Sequence, residues 1–148
     1  MIIIGSDHAG YDIKEKIKEM LLRNTNECID VSDKYIENDD YTDVVTDICS
    51  KMKSNDLAIM VCGTGIGSSI IANKFKGIRA AICYDEYTAK FTRLHNDANM
   101  LCLGGRTVLA DDEDKLFNIV NTFITTKFSN EERHVRRLNK IKEVEEGK

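Results

Sequence analysis

The 148-residue chain is 42% hydrophobic and 31% charged, proportions of one ordinary globular domain with a sizeable core, not of a disordered or fibrous chain. Its formal net charge of −4 argues against nucleic acid or an anionic membrane as partner, because the field of the whole molecule repels polyanions. The longest apolar runs are strand-sized, and the start Met1-Ile2-Ile3-Ile4-Gly5 lacks the basic flank and long apolar centre of a signal peptide, so a cytoplasmic protein is expected.

Ile2-Ile3-Ile4 reads as a short β-branched strand, and Gly5 to Gly10 as the turn after it. Ile13, Ile17, Met20 and Leu21 then mark one face of a helix ending near Asn24. Strand, turn and helix make half of a βαβ unit, which puts Asp7 and His8 at a strand's carboxyl end, where open α/β sheets bind ligands. Taken alone, Asp7 could equally be a cap and His8 a solvated residue. Cys28 to Val31 is a second strand, and Ser32 to Asp40 an acidic loop. Tyr41-Thr42-Asp43 leads into a helical pattern of Val44, Val45, Ile48, Cys49 and Met52; Tyr41 either closes over a ligand or packs at the helix start.

The uncharged run Leu57 to Cys62 ends abruptly in Gly63-Thr64-Gly65-Ile66-Gly67, after which Ser68 or Ser69 offers an N-cap for a helix reaching Phe75. Alternating glycines let backbone N–H groups approach a ligand, and a helix start adds positive partial charge, so this turn is suited to an anion. Cys62 closes the strand beside it, an environment in which a thiolate is favoured. A Walker-type loop would carry a Lys after its last glycine, where Ser68 stands. A dinucleotide fingerprint finds an acid in Asp85 at about the right distance, but its third glycine comes one residue early.

Gly77 introduces a fourth strand, Ile78 to Cys83, and Tyr84 to His95 reads as a helix with Asp85 as N-cap and Tyr87, Phe91 and Leu94 on its inner face. His95 to Asn99 is a polar stop before a fifth strand, Met100 to Leu103, which ends in Gly104-Gly105-Arg106. From Asp111 or Asp112, Leu116, Ile119, Val120, Phe123 and Ile124 mark a helix packed on the sheet. The last helix, Glu131 to Glu146, carries an apolar ridge of Val135, Leu138, Ile141 and Val144. On it Arg133 and Arg137 are an i, i+4 pair whose guanidinium groups point the same way, either as a solvated face or as a phosphate grip. The five cysteines (Cys28, Cys49, Cys62, Cys83 and Cys102) contain no C-x-x-C pair, so reduced and mostly core thiols are expected, with no metal site.

Gly-Ser-Asp-His-Ala-Gly, Cys-Gly-Thr-Gly-Ile-Gly, Ala-Asn-Lys-Phe-Lys-Gly-Ile-Arg-Ala, Leu-His-Asn-Asp-Ala-Asn and Gly-Gly-Arg, in that order, give the chain a resemblance to the B-type ribose-5-phosphate isomerases and the related galactose-6-phosphate isomerase subunits. The resemblance covers nearly the whole chain. It implies a Rossmann-like three-layer α/β/α sandwich with a five-stranded parallel sheet, forming one domain over residues 1–148. It also implies a homodimer or dimer of dimers with sites shared between subunits, the terminal helix near 131–146 meeting the partner, and no cofactor. By the same resemblance, Cys62 is the base that moves a carbon-bound proton, Thr64 assists at the oxygens, and His95 opens the sugar ring. The amides of Gly63, Thr64, Gly65, Ile66, Gly67 and Ser68 would form the anion hole. Asp7, His8, Tyr41 and Asn96 would hold the substrate, and Arg106, Arg133 and Arg137 its phosphate. Some members place a glutamate base just after the glycine loop, where this chain has Ser68 and Ser69, and most have a proline after the tyrosine, where it has Thr42. An acidic insertion near Asp111 to Asp114 also shifts the spacing to the arginines. The implied activity is ribose 5-phosphate to ribulose 5-phosphate isomerisation. A six-carbon sugar phosphate, or a binding module without catalysis, are the alternatives.

Overall fold

The computed structural model describes all residues, Met1–Lys148. Five strands, β1 (Ile2–Ser6), β2 (Cys28–Asp30), β3 (Leu57–Cys62), β4 (Ala80–Ile82) and β5 (Met100–Gly104), alternate with helices. The helices are α1 (Tyr11–Arg23), α2 (Tyr41–Lys51), α3 (Ile66–Ala72), α4 (Glu86–Asn96), α5 (Glu113–Thr125) and α6 (Glu132–Glu145), with short 3-10 turns at His8–Gly10 and Val108–Ala110. The sheet is wholly parallel in the order β2-β1-β3-β5-β4. No helix is long and apolar enough to cross a membrane.

Side chains alternate across the sheet and build two cores. On one face Ile4, Ile59, Val61, Leu101 and Leu103 meet Ile13, Ile17 and Leu21 of α1, Ala89 of α4, and Leu116, Ile119, Val120 and Phe123 of α5. On the other, Ile3, Ala58, Met60, Cys62, Met100 and Cys102 meet Val45 and Ile48 of α2 and Ala72 of α3. The three layers expected from the sequence are therefore present. Each fully buried aliphatic side chain contributes roughly 1.5–3 kcal/mol, so these two clusters dominate the stability.

Register decides where the site can form. Ser6 pairs with Val61 and Cys62 with Gly104, so β1, β3 and β5 end side by side. The first strand runs two residues beyond its isoleucines because Gly5 and Ser6 continue the pairing with β3. Two expectations fail at the central turn. Neither Ser68 nor Ser69 caps a helix: α3 begins at Ile66 behind Gly65, whose φ of +83° suits glycine, and it stops at Ala72. Ser68 is instead a buried helical residue. The fourth strand is also shorter than its apolar run, because the Asn73 side chain bridges the N–H and C=O of Ala80 and the chain straightens only there.

Asp85 caps α4 as expected, in a reciprocal box with Thr88 at 2.7 Å. Tyr87, Phe91 and Leu94 do not face the sheet, however; Ala89 does, and Tyr87 is 69% exposed. Tyr87, Phe91 and His95 instead form an aromatic ladder on the side of α4 that meets α6, with centroid separations of 4.5 and 4.9 Å. On α6 the buried residue is His134, while Val135, Ile141 and Val144 are exposed.

Candidate functional site

The carboxyl edge of the sheet gathers the first group of residues expected in the site. Asp7 follows β1, and its Oδ1 accepts the N–H groups of Ala9 and Gly10 at 2.9 and 3.1 Å, capping the 3-10 turn. Burial pushes the Asp7 carboxyl above its ordinary value, and these hydrogen bonds and neighbouring His8 only partly offset it. Next to it, the Nδ1 of His8 lies 3.0 Å from Asp39 Oδ1, an oxygen that also accepts the His8 backbone N–H at 2.7 Å.

At the end of β3, Cys62 is buried and the N–H of Gly65 donates to its sulfur at 3.1 Å. The amide of Ile66 donates to Thr64 Oγ1 at 3.2 Å. Gly65 and Ile66 thus use their amides on the loop's own side chains, whereas those of Gly67 and Ser68 have no protein acceptor at the start of α3. The Ser68 hydroxyl is buried and also unpartnered. Tyr41, the first residue of α2, lays its ring over Gly67: a Cβ there would stand 2.5 Å from the ring. Thr42 falls in the first turn of α2, a position where proline's missing N–H would go unused.

The loop after β5 is stitched to the glycine loop. Gly105 N–H donates to Cys62 O at 2.7 Å, and Arg106 N–H to Gly63 O at 3.0 Å. Arg106 Cδ passes beside Gly63 and the side chain is exposed at the edge. Asp7, His8, Tyr41, Cys62, Gly63 to Ser68 and Arg106 therefore share one rim.

His95, Asn96, Arg133 and Arg137 do not join them within the chain. His95 and Asn96 end α4, at the opposite edge of the sheet: Asn96 O accepts from Nε of Arg79, the residue before β4, at 3.0 Å. Parallel strands connected by helices return the chain to the far edge, which is why residues at helix ends and strand ends separate. Here His95 stacks on His134 of α6, with ring centroids 4.2 Å apart, and α6 also carries Arg133 and Arg137 on its exposed surface. Burial, the neighbouring His95 and the Arg133 charge lower the His134 pKa from its ordinary value, so this ring is neutral near pH 7. Ser129 Oγ, 2.6 Å from His134 Nδ1, and Ser129 N–H, which donates to Leu94 O, tie the two helices.

Two residues of the rim and stack are not marked in the sequence. His134 lies outside any apolar period, and no local pattern marks a contact between two helices. Asp39 sits in an acidic loop that reads as solvated, and only the folded chain brings it to His8.

A parallel α/β sheet whose carboxyl edge holds a cysteine, a glycine loop with free amides and an arginine defines a protein that binds small anionic metabolites at that edge. The ribose/galactose isomerase family profile matches residues 2–141. Ribose-5-phosphate isomerase B of Escherichia coli is 38% identical over 109 residues, covering 72% of this chain and 73% of its own. Among solved structures, ribose-5-phosphate isomerase B of Clostridium thermocellum superposes with a TM-score of 0.92 at 42% identity, over 99% of this chain and 97% of that one. The Mycoplasma genitalium enzyme of that name, with bound ribulose-5-phosphate, gives 0.91 at 38% identity, with the same coverage of 99% and 97%. The chain belongs to the ribose/galactose isomerase family and is a sugar phosphate isomerase.

Proposed function

We propose that the protein interconverts ribose 5-phosphate and ribulose 5-phosphate through an enediolate. The observation that carries this reading is the Cys62 sulfur receiving the Gly65 N–H at 3.1 Å within a glycine loop whose Gly67 and Ser68 amides have no protein acceptor. The Mycoplasma genitalium relative binds ribulose-5-phosphate, which supports a five-carbon substrate here.

In this reading His95 opens the furanose by giving a proton to the ring oxygen, the anomeric hydroxyl losing one. Cys62 takes the proton from C2 of the aldose as a thiolate and returns it to C1, while Thr64 helps transfer a proton between O2 and O1. Negative charge on the sugar oxygens meets the loop amides, where one donor is worth about 3 kcal/mol in comparable holes. Asp7, His8, Tyr41 and Asn96 hold the sugar, and Arg106, Arg133 and Arg137 grip the phosphate.

These roles need both ends of the sheet, so we infer that a site combines the rim of one copy with the α4–α6 stack of another, the whole chain acting as one domain. Comparing kcat/KM for ribose 5-phosphate and for six-carbon aldose 6-phosphates tests the substrate. A preference for the five-carbon sugar is expected, and a preference for a six-carbon sugar would move the assignment within the family.

A further inference from the structure

Asp39 meets both the backbone and the ring of His8 at the rim. We propose that it is a positioning residue for His8: it holds the ring with the proton on Nδ1, so that Nε2 is the nitrogen presented to the sugar phosphate. A single carboxylate oxygen, Asp39 Oδ1, receives the backbone N–H of His8 at 2.7 Å and faces its Nδ1 at 3.0 Å. An ionised carboxylate is an acceptor only, so Nδ1 must be the donor, and the backbone bond sets the ring's distance from the acceptor as well as its direction. Both side chains are largely shielded, at 24% and 16% exposure, so water competes weakly for this bond.

The loop that delivers Asp39 is anchored independently of any ligand. Lys14, fully buried in α1, donates through Nζ to Asp30 Oδ2 and to Ser32 O, both at 2.8 Å. Ser32 N–H donates to Asp30 Oδ1 at 2.9 Å, and Ser32 Oγ accepts the N–H of Ser6, the residue before Asp7, at 2.8 Å. Tyr11 Oη reaches Asp33 O at 3.0 Å. An acidic loop of unremarkable composition is thereby fixed against the strand end that carries Asp7 and His8. With Nδ1 occupied, a hydroxyl can donate to Nε2. A phosphate oxygen there would require a second proton on the ring.

The inference rests on the sugar-phosphate reading only for the identity of the ligand, and its test does not. The chain has three histidines, so their ring nitrogens are resolvable by 15N NMR. At mildly alkaline pH the wild-type His8 is expected to show a protonated, pyrrole-type Nδ1. In Asp39→Ala it should become pyridine-type as the ring reverts to the Nε2–H form common to free imidazole. Asp39→Asn keeps an acceptor oxygen and should retain the wild-type pattern. In turnover, Asp39→Ala is expected to raise KM about tenfold with a smaller change in kcat, and Asp39→Asn to recover much of that loss. A pyridine-type Nδ1 in the wild-type protein overturns the proposal without reference to any variant, as does an unchanged His8 pattern in Asp39→Ala. If the NMR pattern is as expected but no sugar phosphate is turned over, the functional reading fails and the Asp39–His8 assignment stands.

Discussion

Replacing Cys62 by Ala removes the proposed base and leaves the glycine loop, so proton transfer should fall by at least about 10³-fold while sugar-phosphate binding persists. Isothermal titration beside a turnover assay separates the two, and retained turnover would move the base elsewhere. Burial raises the thiols of Cys49 to about 11 and Cys83 to about 12, and pushes Cys102 up further, so these three stay protonated at neutral pH. Gly67 makes a different demand. A methyl group there meets the Tyr41 ring, so Gly67→Ala should cost about 1–3 kcal/mol in denaturant unfolding and weaken binding; Tyr41→Ala in the same chain should recover the stability. Cys62 and the glycines were legible in the sequence because an uncharged run that breaks into alternating glycines is a signal carried entirely by neighbouring residues. The ring over Gly67 was not, since it joins residues 26 positions apart, Tyr41 and Gly67.

Elements were readable where a local rule governs them and misread where the neighbour across the gap decides. The N-cap at Asp85 and the apolar face of α5 follow from local residue type and spacing. The aromatic ridge of α4 has a helical period too, but period cannot say whether the ridge meets a sheet or, as here, His134 of another helix. The contact between α1 and β2 depends on charge. Burial alone would raise Asp30, but hydrogen bonds from Lys14 and Lys18 outweigh it and hold the carboxyl below its ordinary value. A carboxyl depressed in the folded state stabilises fully above its unfolded value, near 3.8, and loses that contribution as pH falls through the lower folded value. Asp30→Asn, which leaves the buried Lys14 with Glu15 as its one carboxylate partner, should therefore cost about 1–3 kcal/mol at neutral pH, with the gap from wild type closing in acid. Urea titrations across that pH range check the sign; a gap that widens on acidification would contradict it. On α6, Arg137→Ala should raise KM for the sugar phosphate and lower kcat less, and unchanged constants would remove Arg137 from the phosphate grip.

For the whole molecule, parallel topology separates the two groups of residues that the proposed reaction needs. Strand ends collect Cys62, Asp7, His8 and Arg106, and helix ends carry His95 and Asn96 to the other side. If two copies share sites, mixing Cys62→Ala and His95→Ala chains after co-refolding should regenerate about a quarter of wild-type activity, because half the dimers are mixed and each holds one intact site. No recovery from chains that do associate would place the whole reaction within one copy. The central claim, enediolate isomerisation of a five-carbon sugar phosphate by Cys62, is tested most directly by a proton NMR time course with ribose 5-phosphate in deuterated buffer. Wild-type protein should produce ribulose 5-phosphate, with deuterium entering at the carbon that exchanges, and Cys62→Ala should do neither. Folded wild-type protein that gives no ketopentose and no exchange, or a Cys62→Ala variant that gives both, would contradict the account.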